Sequence, residues 1–257
     1  MKSTGRGWVA GCLLAGLLVS ASANLWLVAT LRQMYRERLE TQIWPATEAG
    51  WPVVIGDPHR ASHRLLLLGD SRLSQWSFAG PDNTLVINAG LAGATTAQIR
   101  QNLPALLEQY QPDMVVIEAG INDLKFLGLE PGRADAVIAH TLDNLTNMVG
   151  QCQAHGSRVL LLTIWPTAAP DWRRRLVWSP VIPASVARLN RLLADLPADL
   201  ARLQVVDLFA VGDIRPGPDT YQDTLHLRSQ TYQRLNPILT RVLARYSSPE
   251  SPATPRE

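Results

Sequence analysis

Four short segments of the chain carry groups that could together perform acyl transfer. GDS (69–71) supplies a hydroxyl, and GIND (120–123) supplies a side-chain amide. NAGLAG (88–93) supplies glycine N–H groups, and DTLH (223–226) supplies a carboxylate and an imidazole. A serine hydroxyl is a weak nucleophile that needs an adjacent base, which a histidine oriented by an aspartate can provide.

Each of these groups has a distinct role in such a reaction. Ser71 would attack the acyl carbon, His226 would accept its proton, and Asp223 would fix the tautomer of the imidazole. The tetrahedral intermediate carries an oxyanion, which needs preorganised donors. The backbone N–H of Ser71, a glycine N–H and the Asn122 amide could supply three of them.

Taken alone, each segment also has an ordinary structural explanation. Gly, Asp and Ser all suit turns, so residues 69–71 need mark no more than a turn. Asn122 could cap a helix, and Gly93 could relieve a tight turn. Asp223 and His226 could form a surface pair. The function therefore depends on the four segments meeting in space.

The pattern between these segments predicts alternating strands and helices. Apolar runs predict five buried strands, at 65–69, 84–90, 113–120, 157–165 and 204–208. Helical patterns fall at 95–110, 133–155, 184–196 and 229–246. Such alternation is typical of parallel strands joined by right-handed crossovers. We therefore expect a three-layer α/β/α sandwich with about five parallel strands.

This fold would bring the four segments together. They follow the first, second, third and fifth predicted strands, the last after a loop. In open α/β sheets the ligand site lies at the carboxyl ends of the strands. Strand order and residue chemistry thus indicate the same edge of the sheet.

The strings LLLLGDSRLSQW, NAGLAGATT, VVIEAGIND and DTLHL, in this order, resemble the SGNH hydrolases, also called the GDSL esterase/lipase superfamily. The resemblance is nearest to bacterial thioesterases, arylesterases and lysophospholipases, and it covers roughly residues 65–245. It implies a flavodoxin-like SGNH fold that needs no metal or cofactor. It also implies the catalytic set Ser71, Asn122, Asp223 and His226. The pattern of that branch places the oxyanion glycine at Gly93, with Gly90 in reserve.

Two features depart from this family or are peculiar to the chain. Arg72 stands where leucine usually follows the serine, and we expect it to affect substrate preference or packing. Residues 165–183 should overhang the site, and Trp165 and Trp172 with the arginines at 173–175 could bind a sugar or an anionic group. Alternatively, this segment is a solvated loop whose tryptophans pack on the domain or meet a bilayer interface.

Composition excludes several other classes of protein. Of the 257 residues, 46% are hydrophobic and 18% are charged, so the chain as a whole is not disordered. A net charge of +2 gives no general drive toward nucleic acid. The two cysteines, Cys12 and Cys152, exclude a disulfide framework.

Residues 8–31 carry no charge and predict a membrane-spanning helix. About 24 residues at about 1.5 Å each reach roughly 36 Å, enough to cross a hydrocarbon core. We favour a retained signal anchor in a bacterial inner membrane, with the large domain on the outer side. The alternatives are secretion after cleavage at ASA (21–23) and an anchor with the reversed topology. VAGC (9–12) resembles a lipoprotein box, but no apolar stretch precedes it.

The whole chain then divides into four parts with different expected roles. These are a signal anchor at 1–31, a juxtamembrane helix and linker at 32–64, a hydrolase domain at 65–246, and a disordered tail at 247–257.

We expect a membrane-anchored serine esterase that acts on a carboxylic ester, or on a thioester. The substrate would be a lipid or an O-acetylated envelope glycan. One alternative is an O-acyltransferase that uses the same triad on a glycan hydroxyl. Another is a catalytically silent scaffold module, since fold alone does not establish activity.

Overall fold

The computed structural model of the protein describes residues 4–43, 51–172, 174–196 and 202–247. The chain forms two compact units, Met1–Thr47 and Glu48–Glu257. The tail predicted over 247–257 lies outside the described residues from position 248 onward.

The described part of the first unit is one long helix, α1 (Thr4–Ile43). Its portion Gly7–Met34 is long and apolar enough to cross a membrane, and none of it is buried in the protein. A signal sequence near an N-terminus also meets this criterion of length and apolar composition. The predicted membrane segment and most of the predicted juxtamembrane helix are therefore parts of one helix.

The second unit is built on a six-stranded sheet. The strands are β1 (Val53–Ile55), β2 (His63–Gly69), β3 (Thr84–Gly90), β4 (Met114–Glu118), β5 (Arg158–Leu162) and β6 (Leu203–Val206), in the spatial order β1-β3-β2-β4-β5-β6. Strands β2 to β6 are parallel, and β1 pairs antiparallel with β3. Among the parallel strands, the order reverses at β2, where a doubly wound sheet places its ligand site.

The apolar runs form strands because both faces of the sheet are covered. Along β2, Leu66 and Leu68 face one core, while Leu65 and Leu67 face the other. Side chains alternate across a strand, so one run of four leucines serves both layers.

Helices cover the two faces of the sheet. They are α2 (Ser71–Ser74), α3 (Thr96–Tyr110), α4 (Ile121–Leu124), α5 (Ala134–Ala154), α6 (Val181–Ala194), α7 (Leu208–Val211) and α8 (Ser229–Ser247). Helices α3, α5 and α6 pack into the first core, and α2, α7 and α8 border the second. The predicted three-layer α/β sandwich is confirmed.

The predicted boundary between linker and domain is wrong. β1 lies inside the segment 32–64 that we assigned to a helix and linker, and it belongs to the sheet. Just before it, the Trp51 indole N–H donates to the Gly90 carbonyl at 3.2 Å. A three-residue edge strand with Val53 and Val54 exposed has no periodic pattern, which explains why the sequence did not reveal it.

Gly90 shows how closely the sheet approaches α2. A Cβ at this position would lie 2.1 Å from the Ser74 nitrogen and 2.6 Å from the Leu73 carbonyl carbon. A Cβ at Gly150, within α5, would meet nothing within 4 Å. The same substitution should therefore have opposite effects at the two glycines.

We predict that Gly90→Ala lowers the free energy of unfolding by about 1–3 kcal/mol or more, because α2 must shift. Gly150→Ala should raise it by about 0.5–1 kcal/mol, because alanine favours a helix interior. Thermal unfolding followed by near-ultraviolet circular dichroism measures both. A Gly90→Ala protein as stable as wild type would contradict the close approach.

Candidate active site

Ser71 lies at the carboxyl end of the central strand β2, as the first residue of α2. The preceding Asp70 caps this helix, because its side chain accepts the Arg72 N–H at 3.0 Å. Aspartate is a favoured N-cap residue, so the GDS turn has a local cause in the sequence. The cap fixes the direction in which the serine leaves the strand.

Ser71 is joined to His226 and Asp223 by two consecutive hydrogen bonds. Ser71 Oγ lies 3.0 Å from His226 Nε2, although the two residues are 155 positions apart. His226 Nδ1 lies 2.7 Å from Asp223 Oδ2. With Asp223 ionised, Nδ1–H donates to the carboxylate, and Nε2 is then left to accept the serine proton.

Asp223 is held in the ionised form by its surroundings. Burial works to raise the pKa of its carboxyl, but hydrogen bonds from the His226 ring and from two backbone N–H groups hold it below the ordinary value. Those groups are Leu225 N–H, at 2.7 Å from Oδ1, and His226 N–H, at 2.9 Å. One carboxylate therefore orients the imidazole and shapes the loop that carries it.

Asn122 lies in α4, just beyond the end of β4, and its amide is fixed at both ends. Nδ2 donates to the Ala94 carbonyl at 2.9 Å, and Oδ1 accepts from Lys125 Nζ at 3.0 Å. One Nδ2–H remains for a substrate oxygen, since a primary amide has two donors. The Ala94 contact also joins this loop to the one that carries Gly93.

The two candidate oxyanion glycines differ in their backbone. Gly90 N–H donates to Asn88 Oδ1 at 2.9 Å, so this donor is already used. Gly93 has a φ of 74°, which glycine adopts at little cost, and it lies in the exposed turn after β3. Gly93 therefore remains the candidate donor of an N–H to the oxyanion, and Gly90 is no longer the alternative.

Asp123 connects two loops of this site through hydrogen bonds. Its Oδ2 accepts the Thr96 N–H at 2.9 Å, and its Oδ1 accepts the Thr96 hydroxyl at 2.6 Å. Asn144 Nδ2 also donates to the Thr96 hydroxyl oxygen, at 3.0 Å. These bonds connect the segments that follow β3 and β4.

Two of the three side chains expected to contact substrate are in the interior. Arg72 and Trp165 are both 0% exposed, which fits the packing alternative given for each of them and not a direct contact with substrate. Trp165 packs with its ring centroid 5.5 Å from that of Trp76 and 5.8 Å from that of Phe209. Trp172, by contrast, is 67% exposed.

Two further polar residues lie near the triad. Arg174 is one of the arginines considered above for an anionic group, and Glu118 is a residue that the sequence analysis did not assign to the site. Arg174 Nη1 lies 4.0 Å from Asp223 Oδ1. Glu118 is the last residue of β4 and fully buried, and the one signal for it was a charged residue ending an apolar strand. Within the described ranges, no three His, Cys, Asp or Glu side chains are grouped to hold a metal ion.

Glu118 belongs to a buried cluster with Asp70 and Arg72, the two residues that flank Ser71 in the sequence. Arg72 Nη1 lies 3.3 Å from Glu118 Oε1. Burial raises the pKa of the Glu118 carboxyl to about 7, the Asp70 carboxylate adds to the rise, and the Arg72 guanidinium opposes it. One cation cannot neutralise two buried carboxylates, so we infer that one of them holds a proton near neutral pH.

We predict a pH-dependent stability that Glu118→Gln removes. Folding raises the Glu118 pKa above 4.5, so the folded chain binds more protons between pH 4.5 and about 7. The free energy of unfolding should fall as the pH rises through this window, by at most about 1.4 kcal/mol per pH unit. Thermal unfolding of both proteins from pH 5 to 8 measures the effect. A stability difference between them that stays constant with pH would refute it.

The sequence was compared with known families and curated proteins. The profile of the GDSL-like Lipase/Acylhydrolase family matches residues 67–234. An arylesterase of Vibrio mimicus is 35% identical over 131 residues, covering 45% of this chain and 60% of that protein. Esterase TesA of Pseudomonas aeruginosa is 40% identical over 79 residues, covering 31% of this chain and 35% of that protein. The chain thus spans less than two thirds of either relative.

Solved structures share the fold. A lipase/acylhydrolase from Enterococcus faecalis superposes with a TM-score of 0.53 at 22% identity, covering 74% of this chain and 100% of that one. A GDSL-like lipase from Bacteroides thetaiotaomicron gives a TM-score of 0.56 at 18% identity, covering 80% and 96%. Since the family profile spans well over half of the sequence, this chain belongs to the GDSL-like lipase/acylhydrolase family.

Proposed function

We propose that this chain is a membrane-anchored serine esterase that forms an acyl-enzyme on Ser71. The observation that carries the proposal is the line of hydrogen bonds from Ser71 Oγ through His226 to Asp223. It lies where a doubly wound sheet places its ligand, and it has the nucleophile, base and orienting group in reach of one another.

In the first half of the reaction, Ser71 Oγ attacks the carbonyl carbon and forms a new C–O bond. His226 Nε2 takes the hydroxyl proton, and the ionised Asp223 stabilises the resulting imidazolium. The carbonyl electron pair moves onto oxygen, where the Asn122 amide and the N–H groups of Ser71 and Gly93 stabilise it. The bond to the leaving alcohol or thiol then breaks, and His226 returns the proton to that group.

The second half repeats these steps with water as the nucleophile. His226 takes a proton from water as its oxygen attacks the acyl carbon. The bond to Ser71 Oγ breaks, and His226 gives the proton back to the serine. A carboxylic acid leaves, and the free hydroxyl is restored.

The substrate we propose is a carboxylic ester of a lipid or of an O-acetylated glycan, with a thioester as a further possibility. The names of the curated relatives, an arylesterase and an esterase, support the ester class. Trp172, on the segment that follows β5, is the exposed aromatic side chain we propose as a substrate contact.

The test compares wild type with Ser71→Ala on p-nitrophenyl esters of increasing acyl length, with the full chain in detergent micelles. We expect kcat to fall by about 10⁴-fold or more in Ser71→Ala, because the variant lacks the proposed nucleophile. Ser77→Ala, which removes an exposed hydroxyl just beyond α2, is the matched control and should keep full activity.

Other outcomes of this experiment would favour the alternatives. If excess hydroxylated acceptor diverts most of the acyl group from water, the protein is an O-acyltransferase with the same acyl-enzyme. If well-folded wild type hydrolyses no ester and acylates no acceptor, the domain is a scaffold module. Activity that survives in Ser71→Ala would reject Ser71 as the nucleophile.

We also propose that α1 retains the chain in a bacterial inner membrane, with the catalytic unit outside the cytoplasm. The apolar length of Gly7–Met34 supports this proposal. A helix of that length can cross the hydrocarbon core of a bilayer.

We predict that the full-length protein stays in the membrane pellet after alkaline carbonate washing. A reporter enzyme that is active only outside the cytoplasm should be active when fused after Glu257. A soluble product whose N-terminus begins at Asn24 would instead show cleavage after ASA (21–23) and secretion. A silent reporter on a stable fusion would reverse the orientation.

A further inference from the structure

The Arg72 side chain donates hydrogen bonds to the backbone of two segments that surround the proposed site. Its Nε donates to the Leu225 carbonyl at 3.2 Å. Its Nη1 donates to the Trp165 carbonyl at 2.9 Å, and its Nη2 donates to the Pro166 carbonyl at 3.4 Å. One side chain thus holds the backbone before His226 and the backbone after β5.

The backbone of Arg72 is itself fixed on both sides. Its N–H donates to the Asp70 carboxylate at 3.0 Å, and its carbonyl accepts the Tyr232 hydroxyl at 2.8 Å. The side chain is fully buried, and its planar guanidinium presents donors in a rigid fork. The residue that follows Ser71 is therefore a rigid support for whatever it holds.

The Leu225 carbonyl is the contact that matters for chemistry. Leu225 precedes His226, and its own N–H is bound by Asp223 at 2.7 Å. Both backbone polar groups of Leu225 are thus hydrogen-bonded. The N–H donates to the Asp223 carboxylate, and the carbonyl accepts from Arg72. The position of the His226 imidazole relative to Ser71 depends on both of these hydrogen bonds.

We propose that Arg72 is a positioning residue, which holds the His226 loop at hydrogen-bonding distance from Ser71. The proposal rests on the function proposed above for these two residues. Glu118, at 3.3 Å from Nη1, and Asp70 together supply the negative charge that allows this guanidinium to be buried. Arg72 acts through the backbone at Leu225 and does not touch the substrate.

A merely structural role for Arg72 makes a different prediction. In that case the buried Arg72–Glu118 pair contributes to stability alone, and any loss of activity follows the loss of folded protein. A double substitution separates the two roles. Arg72→Leu combined with Glu118→Leu removes both members of the pair. The buried Asp70 carboxyl that remains has a raised pKa and can hold a proton, so no buried charge is left without its partner.

The experiment measures kcat, KM and Tm for Arg72→Leu and for Arg72→Leu/Glu118→Leu, as full chains in detergent micelles. We expect kcat to fall about 10-fold or more in both, because small displacements of a base have large effects, while KM changes by less than about 2-fold. Tm should fall in the single variant and recover in the double variant.

Leu103→Ala is the matched control for lost stability. Leu103 is fully buried in α3, on the face of the sheet opposite to Arg72. This variant should lose Tm and keep wild-type kcat at temperatures where it is folded. If kcat instead recovers together with Tm in the double variant, Arg72 is only structural and the proposal fails.

A second readout keeps the test independent of the substrate. The rate at which phenylmethanesulfonyl fluoride modifies Ser71 reports the coupling between Ser71 and His226 without any ester. We expect modification to be at least about 10-fold slower in the double variant than in Leu103→Ala. If wild type hydrolyses no ester but shows this difference, the proposed function fails while the role of Arg72 stands. Equal rates would overturn that role.

Discussion

The contact of 3.0 Å between Ser71 Oγ and His226 Nε2 joins residues that are 155 positions apart in the chain. The tertiary fold must therefore hold them together. Parallel strands deliver their following loops to one edge of the sheet, which places the serine turn beside the loops of Gly93 and Asn122. The His226 loop follows β6 by about twenty residues, so it needs further hydrogen bonds to hold it in position. Asp223 and Arg72 supply them.

Holding this contact places charge in the interior. Asp70, Arg72 and Glu118 are all fully buried, and charged groups lose much hydration free energy when they leave water. Asp70 Oδ2 and Glu118 Oε2 have no hydrogen-bond partner in the described part of the protein. The arrangement is a weak source of stability, and its value lies in the directed hydrogen bonds that Arg72 makes to three carbonyls. The hydrogen bonds that position the site therefore come with the electrostatic cost of burying these charged side chains.

Much of this could be predicted from the sequence, because the apolar runs are buried on both faces and leave a strong pattern. The alternation of these runs with helices was enough to place Ser71, Asn122 and His226 at one edge. The burial of the Arg72 side chain could not be predicted, because it depends on Glu118 and on carbonyl groups distant in sequence. The strand β1 could not be predicted either. Its pairing comes from β3, and its three residues carry no signal of their own.

The short strand β1 also determines how mechanical tension would enter the sheet. Any pull on the chain before residue 51 reaches the catalytic unit through the Trp51–Gly90 bond and the three pairs between β1 and β3. An antiparallel edge strand pulled from one end opens one pair at a time, whereas central strands pulled along their length must break many bonds together. Under such a pull, β1 would separate from β3 before the force reached β2 and the serine turn.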